Sequence, residues 1–388
     1  MEKRIDWSRL LLRICSYVLV AVVTCVATMY FMLQSTGGKL TYLRYMINAC
    51  FIGEVDQQAL EDGAANGMVQ ALPDRWSYYI PASSMQANQE SLDNAYVGVG
   101  ITITVREDNK GYDIIQLEPT GGALEAGILP GDILVAVEEQ RLSEMTVEQA
   151  RDLIRGEAGT QVKLTVERDG AEQEFTVTRK QLLVQVATGE LLEGNVGYIT
   201  IVNFNDRCAQ ETIARIEELK QQGATAFIFD VRFNPGGFKD ELVDLLDYLL
   251  PEGDLFRSLL YTGEETVDTS DENCLEMPMA VLINGDSYSA AEFFAAALSE
   301  YEWAQLVGES TVGKGYFQYT MELGDGSAVA LSVGKYFTPN GRCLEDEGGL
   351  TPDIPVEVDD ETAARIYAGL LDPMEDPQVQ AALEALKK

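Results

Sequence analysis

The stretch Met279-Ala-Val-Leu-Ile-Asn-Gly-Asp-Ser-Tyr-Ser-Ala-Ala-Glu292 decides how the second half of this chain folds. Its first residues are all apolar and predict a buried strand, and the small residues after the serines predict the start of a helix. The chain therefore turns sharply at Ser287 and Ser289. A serine at a helix N-terminus either caps the helix or lies where free N–H groups bind a developing oxyanion. Local features alone do not choose between the two serines.

Strands and helices alternate on both sides of this stretch, from residue 181 to residue 359. The predicted strands cover 196–202, 226–231 and 280–283, and the predicted helices cover 208–222, 240–250 and 290–300. The strands are apolar runs, which is typical of a sheet that helices cover on its faces. This half of the chain is therefore predicted to be an α/β domain.

A lysine between two glycines follows, in Val312-Gly-Lys-Gly-Tyr-Phe-Gln318. The chain contains no histidine, so a Ser-His-Asp triad, a Cys-His dyad and histidine-based metal sites are excluded. Lysine is the usual substitute base, but its ordinary pKa is near 10.4, so it must be desolvated to act at neutral pH. Gln318 is placed to accept a hydrogen bond from the Lys314 amine. Each motif alone also fits a surface residue on a turn or strand.

A glycine loop, Asp230-Val-Arg-Phe-Asn-Pro-Gly-Gly237, directly follows a predicted buried strand. Tandem glycines leave two backbone N–H groups able to face a substrate carbonyl. The alternative is an ordinary loop between a strand and a helix, with Asp230 and Arg232 as a structural ion pair.

Residues 96–180 change to short strands and are predicted to form one self-contained module, a small barrel with one or two helices. Strands are predicted over 97–105, 112–117 and 132–137, a helix over 147–155, and a hairpin over 162–166 and 174–178. The hairpin is favoured because Asp169-Gly170 lies between its two alternating strands.

The N-terminus carries a run of uncharged residues from Ile14 to Leu33, long enough to cross about 30 Å of hydrocarbon. Four basic residues precede it, namely Lys3, Arg4, Arg9 and Arg13. They predict a cytoplasmic segment over 1–13, a transmembrane anchor over 14–33, and the remainder outside the cytoplasm. A cleaved signal peptide is the alternative, but the run is long for one and Gln34-Ser-Thr-Gly-Gly38 is a poor cleavage site.

Two helical segments flank the modules, one over residues 34–95 and one over residues 360–388. The first is interrupted by an aromatic turn at 73–81, and the second is broken at Pro373 and Pro377. These segments either pair two subunits in a homodimer or cap their own domains.

The net charge is −35, from 28 basic and 63 acidic residues. Such a surface repels nucleic-acid phosphates, so nucleic acid is excluded as a partner. No Cys-x-x-Cys pair occurs, which argues against a zinc or redox site. A disulfide among Cys50, Cys208, Cys274 and Cys343 is possible, but the sequence does not assign one.

Taken together, these motifs resemble those of the carboxy-terminal processing peptidases, the S41 serine proteases with a Ser-Lys pair. The loop 230–237 resembles the family pattern D-x-R-x-N-P-G-G, and 287–292 resembles its nucleophile turn, which indicates the second serine. Residues 307–318 match the pattern G-E-x-T-x-G-K-G-x-x-Q, and 336–342 and 349–354 resemble later signatures. Asp286 and Tyr288 depart from the pattern, since small residues are commoner there.

The resemblance implies a crotonase-like α/β protease core over 181–359 with an inserted PDZ domain over 96–180. It implies Ser289 as nucleophile, Lys314 as base and Gln318 as the residue that orients Lys314. Gly236 or Gly237, with the N–H of Ala290, would form the oxyanion hole. The carboxylate-binding loop of the PDZ domain would be Gly98, Val99, Gly100 and Ile101, and Ala126-Gly-Ile-Leu-Pro-Gly-Asp132 resembles a turn of bacterial PDZ domains.

The predicted function is therefore that of a membrane-anchored serine endopeptidase that engages protein or peptide C-termini outside the cytoplasm. No metal or cofactor is expected. One alternative is a catalytically silent PDZ adaptor that binds C-terminal tails. A second alternative is a protease that is held inactive until a ligand binds the PDZ domain.

Overall fold

The computed structural model describes residues 7–34, 36–106, 110–143 and 145–387 of the chain. Residues 1–6, which begin the predicted cytoplasmic segment, lie outside the described residues. The chain divides into two compact units, one of Met1–Ala82 with Thr320–Leu331 and one of Ser83–Tyr319 with Ser332–Lys388. Cys50, Cys208, Cys274 and Cys343 are free thiols, so none of the disulfides left open above is formed.

The first unit is mainly helical. Its elements are α1 (Trp7–Gln34), α2 (Thr36–Cys50), α3 (Gln57–Gln70) and the strand β1 (Tyr78–Ile80). Asp56 caps α3 by accepting the N–H groups of Gln58 and Ala59. Residues 73–81 were predicted to be a turn, but Tyr78–Ile80 form the strand β1. They are extended because they pair antiparallel with residues 328–330, and no local sequence pattern reveals this distant partner.

The N-terminal helix was predicted to span a membrane. No helix within the described residues combines enough length with enough apolar character to cross a membrane.

The PDZ module lies in the second unit. It follows α4 (Met85–Leu92), and its elements are β2 (Ala95–Gly98), β3 (Ile101–Val105), β4 (Tyr112–Leu117), α5 (Gly122–Ala126), β5 (Ile133–Val137), β6 (Gln140–Arg141), α6 (Val147–Ile154), β7 (Gln161–Arg168), β8 (Ala171–Thr178) and β9 (Lys180–Leu183). One sheet has the order β3-β4-β5-β7-β8, and β2 pairs with β9 in a separate two-stranded ribbon. The core of the module contains Ile114, Leu134 and Leu164, which are fully buried.

The single strand predicted over 97–105 is wrong in one respect, because it is divided into β2 and β3. The division falls at Gly100, whose φ of 79° lies in the left-handed region and ends the extended conformation. As a result β3 is an edge strand with one side unpaired within this sheet.

The remaining elements form the α/β core. They are β10 (Ala187–Leu192), β11 (Val196–Ile201), α7 (Cys208–Gln221), β12 (Ala226–Asp230), α8 (Lys239–Leu249), β13 (Gly253–Leu260), β14 (Glu265–Ser270), β15 (Met279–Ile283), α9 (Ala290–Glu300), β16 (Ala304–Gly308), β17 (Tyr316–Glu322), β18 (Ala328–Phe337), α10 (Leu344–Glu347), β19 (Ile354–Pro355), α11 (Asp360–Tyr367) and α12 (Pro377–Ala385). The main sheet has the order β10-β11-β12-β15-β16-β19. Within it β10 and β11 are antiparallel, and the other pairs are parallel. A second sheet joins β13 to β14 and to the end of β18.

The central strands of the main sheet are buried on both faces, as their apolar sequences predict. Along β12, Phe227 and Phe229 face one hydrophobic cluster, and Ala226 and Ile228 face another. The first cluster includes residues of α7, α8 and α9, and the second includes residues of α12. This three-layer packing fixes the carboxyl ends of β12 and β15, where the glycine loop and the serine turn begin.

Candidate active site

Ser289 occupies the turn between β15 and α9 and is the N-cap residue of α9. Its backbone has φ 58° and ψ −128°, a conformation that costs a residue with a side chain free energy. The residue is buried but keeps 8% of its surface accessible to solvent. Strained backbone of this kind is concentrated at functional sites, which supports the prediction for Ser289.

Ser287 differs from Ser289 because its hydroxyl is already engaged in the turn. Its Oγ donates to the carbonyl of Val231 at 2.8 Å and accepts the N–H of Asn284 at 3.0 Å. The residue is fully buried. The structure therefore separates the two serines that the sequence pattern left open, and gives Ser287 a structural role.

Glu292 links the serine turn to the lysine loop. Its Oε2 accepts the N–H of Ser289 at 3.0 Å and the N–H of Lys314 at 2.8 Å. Its Oε1 accepts the N–H of Gly313 at 2.7 Å and the hydroxyl of Thr311. Burial raises the pKa of the Glu292 carboxyl above its ordinary value, and these four donors act in the opposite direction.

Sequence reasoning did not include Glu292 among the site residues. A local signal was present, because Ser289 and Glu292 have the Ser-x-x-Glu spacing of a capping box. That spacing predicts only the bond to the Ser289 N–H, and the bonds to residues 311–314 come from a distant segment.

Lys314 lies in the loop before β17, and its Nζ is 5.9 Å from the centre of the Tyr288 ring. The loop follows its course because its glycines lack side chains. A Cβ on Gly313 would lie 2.6 Å from the N of Gly349, and φ at Gly313 is 85°. The Gly-Lys-Gly pattern thus allows close packing of the loop and places the lysine beside Tyr288, the residue that precedes Ser289.

Gln318 lies in β17, four residues after Lys314. Its Nε2 donates to the carbonyl of Tyr316 at 3.2 Å and to Oγ of Ser332 at 3.0 Å. These bonds use both amide hydrogens, and Oε1 is the atom of Gln318 that is able to accept a hydrogen bond from the Lys314 amine.

The glycine loop 234–237 lies directly against the serine turn. Gly236 has φ 86°, and a Cβ there would lie 2.7 Å from Cβ of Ser289 and 2.8 Å from the N of Ala290. Its N–H donates to Oδ1 of Asn234 at 2.8 Å. The N–H of Gly237, in contrast, has no acceptor among the residues that the structure describes. Ala290 is the first residue of α9, and its N–H has no acceptor within the helix.

The ion pair proposed for Asp230 and Arg232 is present and extends further than the sequence indicated. The Arg232 guanidinium contacts Asp230 at 2.5 Å, Asp376 at 2.8 Å and Oε1 of Gln378 at 2.8 Å. Asp376 also caps α12. This buried network joins the start of the glycine loop to the C-terminal helix, a partnership that no local pattern signals.

The predicted carboxylate-binding loop lies beside a groove between β3 and α6. Gly98 ends β2 and Ile101 begins β3, and a cavity of about 270 Å³ is lined by this segment together with Val147, Arg151 and Ile154. Among the described residues, the N–H groups of Val99 and Gly100 have no acceptor. An unpaired strand edge next to free N–H groups is the arrangement by which a peptide C-terminus is bound.

Comparison with known proteins assigns the family. The model of peptidase family S41 matches residues 195–356, and a PDZ domain model matches residues 116–168. The carboxy-terminal processing protease CtpA of Bacillus subtilis (strain 168) is 32% identical over 332 residues, which cover 84% of this chain and 70% of that protein. The chain belongs to peptidase family S41. It is therefore a serine-type protease with a PDZ domain, as the motifs predicted.

Two further processing proteases are similar to this chain. The carboxy-terminal-processing protease of Bartonella bacilliformis is 31% identical over 314 residues, which cover 78% of this chain and 70% of that protein. The solved structure of the photosystem II D1 C-terminal processing protease is 26% identical with a TM-score of 0.49, and the match covers 90% of this chain and 93% of that one.

Proposed function

We propose that this S41 protease cleaves peptide bonds with Ser289 as nucleophile, Lys314 as general base and Gln318 as the residue that orients the lysine amine. The observation that carries the proposal is the position of Glu292. One carboxylate oxygen accepts the N–H groups of both Ser289 and Lys314, so two segments distant in sequence are held on either side of one atom.

In this mechanism the neutral Lys314 amine takes the proton of the Ser289 hydroxyl as Oγ attacks the substrate carbonyl. The negative charge of the tetrahedral intermediate is stabilised by the N–H groups of Gly237 and Ala290. Gly236 allows the loop to approach the serine, but its N–H already bonds to Asn234. The lysine then protonates the leaving amine, and water hydrolyses the acyl-enzyme by the same route.

The proposed substrates are proteins with a free C-terminus. The substrate tail would add a strand to the open edge of β3, and the N–H groups of Val99 and Gly100 would bind its terminal carboxylate. The groove beside α6 would hold the last side chains. The support is the unpaired edge and the available N–H groups at this one place.

A membrane location is also proposed, on sequence alone. The uncharged run over residues 14–33 follows a basic N-terminal segment, which is the pattern of an anchor with the protease outside the cytoplasm. Extraction of membranes with carbonate, followed by external protease treatment of intact cells, tests both parts. A homodimer formed through residues 34–95 or 360–388 is tested by sedimentation of the detergent-solubilised chain.

The catalytic proposal is tested with Ser289→Ala and Lys314→Ala. Each is expected to reduce cleavage of an internally quenched peptide to background, because each removes a group that the reaction needs. Lys220→Ala is the matched control, since that lysine pairs with Glu217 on the surface of α7 and should leave cleavage unchanged. Full activity in either catalytic variant would refute the assignment.

A further inference from the structure

The groove between β3 and α6 carries positive charge on a strongly acidic chain. The whole chain has 28 basic and 63 acidic residues. Two arginines, Arg151 and Arg155, line the groove, and none of the described residues that line it is acidic. A concave surface lined by charges of one sign attracts a ligand of the opposite sign. The lining therefore favours a negatively charged ligand.

The two arginines of the groove differ in their partners. Arg155, which follows α6, pairs at 3.2 Å with Glu90, whose side chain is largely shielded. Arg151 lies within α6, and its side chain is 52% exposed. Its one ion pair among the described residues is with the adjacent Asp152 at 3.6 Å, and adjacent residues of a helix do not face each other. Arg151 is therefore the cation in this groove that a ligand is able to engage.

The helix α6 runs alongside β3 in the opposite direction. At the start of α6, the Tyr112 hydroxyl donates to the carbonyl of Met145 at 2.6 Å, and Tyr112 pairs with the last residue of β3. At the end of α6, the positive charge of Arg155 acts on the Tyr96 hydroxyl of β2, whose pKa is raised by burial and by Glu118. The end of α6 thus lies towards the carboxylate loop, and its start lies at the far end of β3.

This direction defines which residue of a bound tail Arg151 meets. Ile154 and Arg151 are three residues apart on one face of α6, which corresponds to a rise of about 4.5 Å away from the carboxylate loop. A tail that extends the sheet along β3 advances about 6.6 Å in two residues, and alternate side chains face the same way. The last side chain then lies near Ile154, and the third-from-last side chain lies near Arg151.

We propose that Arg151 is a specificity-determining residue that selects protein tails with an aspartate or glutamate at the third-from-last position. The planar guanidinium donates two parallel hydrogen bonds to that carboxylate, while Ile101 and Ile154 provide an apolar surface for the last side chain. The inference rests on the proposed function, because it requires that the groove binds a free C-terminus.

The test measures the binding of fluorescent peptides to the full chain in detergent by anisotropy, with Ser289→Ala present so that the peptides are not cleaved. The peptides have a free carboxylate and an apolar last residue, and they carry glutamate, glutamine or lysine at the third-from-last position. We expect the glutamate peptide to have a Kd about two- to fivefold below that of the glutamine peptide, the range of an exposed ion pair. Moving the glutamate to the penultimate position, which faces away from α6, should abolish this preference.

Two substitutions of Arg151 test the source of the preference. Arg151→Gln should bind the glutamate and glutamine peptides with equal Kd, and Arg151→Glu should bind the lysine peptide more tightly than the glutamate peptide. Both variants should fold, because the side chain is half exposed. Arg141→Gln is the matched control, since Arg141 is an exposed arginine of the same module that pairs with Glu172 outside the groove. It should keep the full preference for glutamate.

A preference for glutamate that is unchanged in Arg151→Gln would overturn the proposal. Equal Kd values for the glutamate and glutamine peptides before Arg151 is substituted would overturn it as well, although the groove would still bind tails. Failure of the proposed function is distinct, because an amidated glutamate peptide would then bind as tightly as the free acid, or neither would bind, and the proposal would fall with it.

Discussion

The catalytic centre and the PDZ groove are built in opposite ways. In the candidate catalytic centre, the serine turn and residues 311–314 are joined by a buried carboxylate, Glu292, which is fully shielded from solvent, and the glycine loop lies against the serine turn. In the PDZ groove, the functional N–H groups belong to one short loop between neighbouring strands. The groove leaves a strand edge open, and the module is stabilised by an apolar core beneath it.

This difference determines which substitutions should disrupt each site. In the candidate catalytic centre, the four hydrogen bonds that join the serine turn to the lysine loop all end on one side chain, so a single isosteric change at Glu292 should disrupt it. The PDZ groove depends on backbone groups to bind the carboxylate, so side-chain changes outside the groove should act through the stability of the module.

Among changes outside the proposed Ser289, Lys314 and Gln318 set, the largest effect is expected from Glu292→Gln. Each oxygen of the carboxylate accepts two donors, and the amide of glutamine presents N–H groups to one of those pairs. Displacement of the Ser289 turn from the Lys314 loop should lower kcat by about 100-fold, the usual cost of a misplacement near 1 Å. Steady-state cleavage of a quenched peptide measures it.

Glu300→Gln provides the matched control. Glu300 lies at the end of the same helix, its side chain is shielded from solvent, and its carboxylate pairs with Arg342. Glu300→Gln should alter stability more than kcat.

Since burial raises the pKa of Glu292, protonation of the Glu292 carboxylate in acid should begin at a higher pH than that of an exposed glutamate. Activity should therefore fall in mildly acidic buffer, and equal kcat in Glu292→Gln and the unaltered chain would contradict the role assigned to this carboxylate.

A smaller effect is expected in the PDZ module from Asp132→Asn. Burial alone would raise the pKa of Asp132, but hydrogen bonds from Arg168 and the Leu129 N–H, together with the Arg168 charge, lower it below its usual range. Because the folded pKa is lowered, the ionised form stabilises the fold above the unfolded pKa, near 3.9, and this is lost as pH falls through the folded pKa. The substitution should cost about 1–3 kcal/mol at neutral pH, measured by denaturant unfolding.

The loss should shrink as the pH is lowered, since the unaltered protein then loses the same interaction. Asp152→Asn on α6 is the control, because the Asp152 side chain is largely exposed and its substitution should change stability little. A pH-independent difference for Asp132→Asn would argue that packing, and not the charge, is responsible.

The smallest effect on catalysis is expected from Ser287→Ala. The change leaves the N–H of Asn284 without its buried acceptor and removes one of two donors to the carbonyl of Val231, which keeps the N–H of Asn234. The loss should lower the free energy of unfolding by about 1–3 kcal/mol. Substantial cleavage should remain, because Ser289 is untouched. A stable but inactive Ser287→Ala protein would reverse the choice between the serines.

The local parts of the fold were accessible from the sequence. The helix predicted over 290–300 is α9, and the strand predicted over 226–231 is β12 with one residue fewer. Both follow from apolar periodicity and from the turn residues that bound them. The division at Gly100 was missed because an apolar alternation continues through it, and only the left-handed backbone interrupts the strand.

The sequence identifies the segments that meet at the candidate site but not the contacts between them. The Ser289 turn, the Lys314 loop and the Gly236-Gly237 loop each have a recognisable sequence. Glu292, which bonds to the first two of these segments, was missed, and so was Asp376, which bonds to Arg232 across 144 positions of the chain. Each of these contacts joins two segments that are far apart in sequence. The local pattern of one segment does not identify its partner in the other.

The most direct test of the central claim is covalent labelling of the intact chain by a fluorophosphonate, followed by mass spectrometry of its peptides. We expect an adduct on Ser289. It should be absent in Ser289→Ala, should form much more slowly in Lys314→Ala, and should be retained in Ser287→Ala. An adduct on Ser287, or labelling that persists undiminished in Ser289→Ala, would contradict it.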